Sequence, residues 1–128
     1  MPKEIIRPKD VHEPRGYSHA VKAGQYVFVA GQVALDEKGN LVGKDNFASQ
    51  AEQAFRNLDR VLAAAGATKG DVIKINVYII SQSDLWQYRG IITKQFPANP
   101  PSSTLAVIPS LAMREFLIEV EAIAYLGQ

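Results

Sequence analysis

Two acidic residues, Glu119 and Glu121, stand two positions apart in an otherwise apolar segment near the end of the chain. If this segment is a strand, both carboxylates project from the same face, about 7 Å apart. Two charges at that distance repel by about 2 kcal/mol at an effective dielectric constant of about 20. The fold must therefore offset this repulsion.

Two explanations account for the acidic pair. In the first, the sheet face is partly hydrated and each carboxylate meets a Lys or Arg from a neighbouring strand. In the second, the face lines a cleft, where burial and the neighbouring charge raise the pKa of one carboxyl group. That group would then move a proton or orient a water molecule.

A second candidate is the segment Ser102, Ser103 and Thr104, which follows Pro100 and Pro101. Its three hydroxyls and its backbone amides could hold a carboxylate or a phosphate. Serine and threonine segments bounded by proline are more often ordinary loops, and this one contains no basic residue. The segment alone does not establish an anion site.

The other polar side chains have simpler interpretations. Arg89 lies on a predicted helix, where a solvated charge is the ordinary case. His12 and His19 are the only histidines; we predict a loop residue and a strand residue without catalytic roles, because no Ser-His-Asp or metal-ligand spacing includes them. Lys74 is expected at the rim of a strand, and Trp86 in packing or an interface. The chain has no cysteine, which excludes thiolate metal sites and cysteine nucleophiles.

The elements that position these residues follow from hydrophobic periodicity. A helix is predicted between Asn46, a suitable N-cap, and Gly66, which suits the position after the last turn. A second helix is capped by Ser83 or Asp84 and ends at Phe96 before Pro97. Strands are predicted at residues 3–6, 18–22, 26–30, 72–80, 103–107 and 116–125.

The order of these elements predicts an α+β fold with both helices on one face of a mixed sheet. The strand at 72–80 is expected to bury one face completely, formed by Ile73, Ile75, Val77 and Ile79. In the last strand, alternation separates one face carrying Ile118, Val120, Ala122 and Ala124 from a second face carrying the two glutamates.

Length and charge limit the possible functions. The 128 residues and 14.0 kDa fit one domain spanning 1–128. The net charge of +1 and the absence of a Lys/Arg cluster argue against a nucleic-acid partner. No apolar run approaches the roughly 20 residues of a membrane helix, and the first ten residues contain no secretory signal. We therefore expect no membrane partner and a cytoplasmic location.

Five segments, in order and covering nearly the whole chain, resemble the RidA family, also called YjgF/YER057c/UK114. They are RGYSHAV at 15–21, FVAGQV at 28–33, NL through LAAAGA at 57–67, DVIKINVY at 71–78 and IEVEAIA at 118–124. Each segment is common by itself. Their joint occurrence at the family's spacing makes the resemblance specific.

The resemblance implies a chorismate-mutase-like fold of the bacillary type, assembled as a homotrimeric barrel with helices outside and ligand clefts between subunits. Archetypal members hydrolyse reactive enamine and imine intermediates, such as 2-aminoacrylate and 2-iminobutanoate, to 2-keto acids and ammonia, without a cofactor or a metal. By the same resemblance, Tyr17 matches the cleft tyrosine, Gly31 the glycine that lies against the ligand, and Glu119 the glutamate at the reacting nitrogen.

One position departs from the family pattern. The arginine that binds the substrate carboxylate in archetypal members corresponds to Ser102 here, so the chain resembles divergent branches of the family. A neutral hydroxyl in place of a guanidinium would cost on the order of 2 to 4 kcal/mol of substrate binding. Arg89, placed where archetypal members carry a cleft asparagine, and Arg114 are the candidate replacements.

Two functions remain open at this stage. The first is hydrolysis of an imine, an enamine or a related labile metabolite, with Glu119 handling the proton or the water. Tyr17, Gly31, Arg89 and the segment from Ser102 to Thr104 would then bind the ligand, which is expected to be anionic. The second is a trimer that binds or senses a small carboxylate without converting it, which the serine at position 102 favours.

Overall fold

A computed structural model describes residues 2–127 and contains one six-stranded sheet. Its strands are β1 (Glu4–Ile6), β2 (Ala20–Ala23), β3 (Tyr26–Gln32), β4 (Val72–Ile79), β5 (Ser102–Val107) and β6 (Ile118–Tyr125). Their order across the sheet is β1-β2-β3-β6-β4-β5. Only β4 and β5 are parallel, and the other neighbouring strands are antiparallel. The predicted mixed sheet is confirmed, with the acidic strand β6 near its centre.

The helix α1 (Phe47–Ala64) forms where its apolar periodicity predicts it. The Asn46 side chain accepts a hydrogen bond of 3.0 Å from the Ser49 amide, and Gly66 has φ +81° just after the helix. The predicted stripe is buried against the sheet; its members are Ala51, Ala54, Phe55, Leu58, Val61, Leu62 and Ala65. These side chains anchor the helical layer to one sheet face.

The second helix, α2 (Leu85–Gln95), packs beside α1 and buries Tyr88. Asp84, one of the two predicted caps, occupies the N-cap position, but its side chain forms no capping hydrogen bond. A short 3₁₀ turn (Gln82–Asp84) precedes the helix, and the Ser81 hydroxyl accepts from the Ser83 amide at its start. The polar side chain therefore caps the turn and not the helix.

The two faces of β6 differ as its alternation predicts. Ile118, Val120, Ala122 and Ala124 are buried beneath the helices. Glu119, Glu121, Ile123 and Tyr125 are half-buried on the opposite face. Within residues 2–127 of a single chain, no helix covers this second face, which we call the open face of the sheet.

The prediction for Ile73 is wrong. Ile75, Val77 and Ile79 are fully buried, but Ile73 is 45% exposed. The pairing of β4 with β6 shifts register between Val72 and Lys74, so the bulge adds one residue to β4. Alternation restarts after the bulge, and Val72 takes the buried position that Ile73 would have occupied.

Two strands are shorter than their patterns indicate. β2 begins at Ala20, so His19 precedes the strand and is not part of it. β6 begins at Ile118, although Phe116 before it is still buried. The chain leading into β6 is held by Gln50 of α1, whose amide donates to the Glu115 carbonyl and accepts from the Leu117 amide, both at 2.8 Å.

No helix within residues 2–127 has the length and apolarity to cross a membrane.

Candidate functional site

The site begins at a bulge between two central strands. The pairing of β3 with β6 shifts register between Val29 and Gln32, beside Ala30 and Gly31. A Cβ at Gly31 would overlap the Glu119 carboxylate and would lie 2.8 Å from its Cγ. The Glu119 side chain therefore fills space that only a glycine at position 31 leaves open. The bulge in β3 lets this side chain, which belongs to β6, lie over the backbone of β3.

Glu119 is a half-buried acid with an altered affinity for its proton. Burial raises the pKa of this carboxyl group, and the charge of Glu121 raises it further. Burial raises the pKa of the Tyr17 hydroxyl, and the nearby charge of Glu119 raises it further. Tyr17, Gly31 and Glu119 therefore lie near one another in the single chain.

Glu121 has neutral hydrogen-bond donors as its partners. Its Oε1 accepts from the Asn76 amide at 3.0 Å and from the Tyr78 hydroxyl at 2.9 Å, both on β4. Within residues 2–127, neither Glu121 nor Glu119 forms an ion pair. The explanation in which each carboxylate meets a Lys or Arg is therefore wrong for the single chain. The fold distinguishes the two acids: Glu121 is hydrogen-bonded, and Glu119 carries the raised pKa.

A histidine pair behind Tyr17 was missed by the sequence interpretation. His12 Nε2 is 3.1 Å from the Tyr17 hydroxyl, and the His12 and His19 rings meet edge to face at 4.7 Å. The His19 Nε2–H donates to the His12 carbonyl at 2.7 Å, and Gln32 donates to His19 Nδ1 at 3.1 Å. Spacing gives no signal for this network, because the turn between His12 and His19 creates it.

Two grooves lie next to this region, one beside Tyr17 and His19 and one beside Glu121, and neither is lined by Gly31 or Glu119. The larger, about 620 Å³, lies between the amino-terminal segment and the loop before β2, and its wall includes Tyr17 and His19. The smaller, about 350 Å³, lies on the open face and is lined by Phe28, Lys74 and Glu121 among others. Lys74, expected at a rim, is the cation of the smaller groove.

The hydroxyl segment lies on β5, away from Glu119. Ser102 pairs with Lys74 and Thr104 with Asn76, so these two hydroxyls share the open face. Ser102 and Ile123 both pair with Lys74, and Ile123 is four residues beyond Glu119 on β6. Ser102 is therefore separated from Glu119 by about 13 Å along the strand direction and about 10 Å across the sheet. Its hydroxyl donates to the Ile73 carbonyl at 3.1 Å.

Ser103 belongs to the other face of the sheet. It pairs with the buried Ile75, which places it toward α2. Burial raises the pKa of the Tyr88 phenol on α2, and the nearby Ser103 hydroxyl opposes that rise. The three hydroxyls therefore do not converge on one point within a single chain.

The two candidate arginines are exposed. The Arg89 guanidinium lies 4.9 Å from the centre of the Trp86 ring on the outer surface of α2, and Trp86 is 77% exposed. Arg114 occupies an exposed turn before β6. Within one chain, Arg89 lies in the helical layer and Glu119 projects from the opposite face, so they do not meet.

The arrangement suits proton transfer. A carboxyl group with a raised pKa is protonated over a wider pH range and can give a proton to a ligand nitrogen or orient a water molecule. The Tyr17 hydroxyl adds a hydrogen-bond donor. Among residues 2–127, no group of three or more histidine, aspartate or glutamate side chains could hold a metal ion.

The comparisons with known proteins agree with one another. The family model described as endoribonuclease L-PSP matches residues 9–126. A RutC family protein of Pyrococcus horikoshii is 36% identical over 96% of this chain and 98% of its own length. A protein of Dermatophagoides farinae named 2-iminobutanoate/2-iminopropanoate deaminase is 29% identical over 95% of each chain.

A solved structure from Yersinia pestis has the same fold. That protein is described as a member of the conserved Rid protein family whose function is unknown. The structural alignment has a TM-score of 0.91 at 27% sequence identity, and it covers 97% of this chain and 99% of the other. The matches therefore extend over the whole sheet and both helices.

Proposed function

Because this chain belongs to the RidA family, whose model is described as endoribonuclease L-PSP, we propose that it hydrolyses small reactive enamines or imines. The products are a keto acid and ammonia. The observation that carries the proposal is the half-buried Glu119 carboxyl group, which lies over Gly31, beside Tyr17, and has a raised pKa. A relative with a deaminase name, similar over nearly its whole length, supports the same chemistry.

The proposed reaction balances without a cofactor. Protonated Glu119 gives its proton to the imine nitrogen, and a water molecule adds to the imine carbon. The resulting carbinolamine loses ammonia as its carbon–nitrogen bond breaks and the carbonyl forms. One proton of the added water returns to the Glu119 carboxylate, and the other passes from the carbinolamine hydroxyl to the nitrogen that leaves as ammonia. Tyr17 donates a hydrogen bond that orients the substrate.

We place the reaction in clefts between subunits of a homotrimer. Glu119 and the Ser102 hydroxyl are far apart on the sheet of one chain. A cleft that contains both would combine Glu119 of one subunit with β5 of another. The open face also exposes Tyr26 and Phe28 by 43% and 47%. Aromatic surface of this kind is suited to contact between copies of the chain.

The anionic group of the substrate would be held across such a cleft. Ser102 and Thr104 supply hydroxyls on the open face, and the unpaired guanidinium of Arg89 or Arg114 would come from an adjoining subunit. This division of the site explains how a chain with serine at position 102 would still bind a carboxylate.

The test is turnover of 2-iminobutanoate generated in situ, followed by keto-acid release. We expect acceleration over buffer, and a loss of about 100-fold or more in Glu119→Gln. The matched control is Glu52→Gln, which changes an exposed acid on α1 and should keep full activity. Failure of the wild type to accelerate any imine in a panel that includes bulkier substrates would overturn the proposal.

A second candidate function is binding of a small carboxylate without turnover. The serine at position 102 favours it, because the guanidinium that positions the substrate carboxylate for turnover in archetypal members is absent there. This function predicts a rise in Tm with keto acids and no product. Turnover that disappears in Glu119→Gln would contradict it.

We do not propose RNA cleavage, although the family model carries an endoribonuclease description. A net charge of +1 provides no basic stripe for a phosphate backbone. Retention of RNA that falls steeply as salt increases would contradict this view.

A further inference from the structure

His12 is a buried residue that the proposed reaction does not use. It lies in the loop between β1 and β2 and is 8% exposed. Its Nε2 is 3.1 Å from the Tyr17 hydroxyl, while its Nδ1 is buried and has no hydrogen-bond partner among residues 2–127. A buried ring that is satisfied on only one side needs an explanation.

The position of His12 is fixed by the sheet. Gln32, at the end of β3, pairs with Val120, the residue after Glu119, and donates to His19. His19 then donates to the backbone carbonyl of His12. The loop is also tied to α1, because Arg60 donates to the Asp10 carbonyl at 3.1 Å. His12 is therefore held by the same strands that hold Glu119.

The proton positions follow from the hydrogen bonds. Gln32 donates to Nδ1 of His19, so that nitrogen accepts and His19 is in its neutral Nε2–H form. Burial and the nearby His19 lower the pKa of His12, which favours neutral His12 as well. Neutral His12 carries its proton on either Nδ1 or Nε2, and the choice decides whether His12 donates to the Tyr17 oxygen or accepts from it.

The orphaned nitrogen favours one of these forms. If Nδ1 carried the proton, a buried N–H donor would have no acceptor, which is rare in folded proteins. If Nε2 carries it, the N–H donates to the Tyr17 oxygen and only a lone pair of Nδ1 is unsatisfied. In that form the Tyr17 oxygen accepts from His12, and its own proton is free to point away.

We propose that His12 is a positioning residue that donates its Nε2–H to the Tyr17 oxygen and so directs the Tyr17 proton toward the ligand beside Glu119. The ligand is the imine or enamine of the proposed function, on which this inference rests. His12 touches no substrate and acts through Tyr17 alone. The raised pKa of Tyr17 keeps its hydroxyl protonated for this purpose.

The first test is nitrogen-15 NMR of the histidine rings in the wild-type protein near pH 7. We expect His12 with a protonated Nε2 and an unprotonated Nδ1. His12→Gln removes its ring resonances and assigns them. A protonated Nδ1 would overturn the proposal, because Tyr17 would then donate to His12. This measurement needs no activity, so it decides the proposal even if the proposed reaction fails.

The second test is a double-mutant cycle on imine turnover. His12→Leu removes the donor and should lower kcat/KM about three- to tenfold, as expected for the loss of one hydrogen bond. His12→Gln offers an amide donor in its place and should restore most of the rate. In a Tyr17→Phe background, His12→Leu should cause no further loss. An equal loss in both backgrounds would show a purely structural role and overturn the proposal.

Discussion

At the scale of single residues, the site depends on the different surroundings of Glu119 and Glu121. Hydrogen bonds from Asn76 and Tyr78 satisfy Glu121, whereas Glu119 has no hydrogen-bond donor among residues 2–127. Two acids on one strand face therefore take different roles, as acids with unlike environments do in many active sites. Burial raises the pKa of Glu119, and the repulsion expected from the spacing of the two acids raises it further.

The raised pKa of Glu119 predicts a pH-dependent gain in stability on substitution. The folded protein holds this proton more tightly than the unfolded chain, so the free energy of unfolding falls as pH rises from the unfolded pKa through the folded pKa. Glu119→Gln cannot ionise. We expect it to be more stable than the wild type at pH 7 and equally stable near pH 3, below the ordinary glutamate pKa, as measured by urea unfolding.

The control for this prediction is Glu121→Gln, which weakens two charge-assisted hydrogen bonds. It should lower the free energy of unfolding by about 1 kcal/mol at pH 7. A stabilised Glu121→Gln, or a Glu119→Gln that is less stable than the wild type at pH 7, would contradict the electrostatic interpretation.

Gly31 predicts a loss of activity without a loss of folding. Its φ is not positive, so alanine fits the backbone, but the new Cβ would occupy the place of the Glu119 carboxylate. Because the end of a flexible side chain can move, Gly31→Ala should fold and shift Tm by only a few degrees. We expect kcat/KM for imine hydrolysis to fall about 100-fold or more.

The matched control is Gly90→Ala, since a Cβ at Gly90 on α2 meets no atom within 4 Å. It should keep full activity and gain stability from the better helix former. Full activity in Gly31→Ala would show that the position of Glu119 does not matter.

The residue-scale predictions succeeded unevenly for a physical reason. Tyr17, Gly31 and Glu119 lie in segments that resemble the RidA family, and the structure brings them together. His12 and Gln32 carry no such signal, because their connection runs through His19 and a loop geometry that periodicity does not describe. Hydrogen bonds between distant residues depend on the completed fold.

At the scale of elements, α1 positions the acidic strand through polar contacts as well as apolar ones. Gln50 is fully buried, donates to the carbonyls of Gly43 and Glu115, and accepts from the Leu117 amide. Since Leu117 directly precedes β6, one side chain of the helix sets where that strand begins. The apolar stripe predicted α1 itself but not this bond to β6.

Replacement of Gln50 therefore predicts a large loss of stability. Gln50→Ala would leave three partly buried backbone groups without their side-chain partner, and we expect the free energy of unfolding to fall by about 2 to 3 kcal/mol. Gln87→Ala on the exposed surface of α2 is the control and should change it by less than about 0.5 kcal/mol. Chemical denaturation measures both variants, and equal effects would contradict this role for Gln50.

The elements were predictable where a single period runs through them and less so where it breaks. α1 keeps one helical period for its whole length, so its bounds and its buried face were correct. In β4 the bulge between Val72 and Lys74 shifts the alternation of side chains between the two faces of the sheet. The prediction that Ile73 is buried was therefore wrong. A bulge is set by the pairing of two strands, which the pattern of one strand does not contain.

At the scale of the whole molecule, the open face predicts assembly. Tyr26, Phe28 and Tyr125 cluster there: the centre of the Tyr26 ring is 6.4 Å from that of Phe28 and 5.1 Å from that of Tyr125. Phe28→Glu would put a charge into the proposed interface between copies. We expect light scattering to give about three times the 14.0 kDa chain mass for the wild type and a smaller mass for Phe28→Glu.

The control is Lys94→Glu, which adds the same acid to an exposed position on α2 and should leave the assembly unchanged. A wild type that runs as a monomer would contradict both the trimer and the shared cleft. The sequence alone predicted a mixed sheet with both helices on one face. It did not predict how the copies meet, because that depends on the shape of the exposed surface and not on its hydrophobicity alone.

The shared space between Gly31 and Glu119 also has an evolutionary consequence. A larger residue at position 31 displaces the acid at position 119, so selection for the proposed chemistry should keep the glycine wherever it keeps the acid. Lineages that abandon the acid become free to abandon the glycine. Joint variation of positions 31 and 119 among related sequences would then identify the lineages that have lost the proposed reaction.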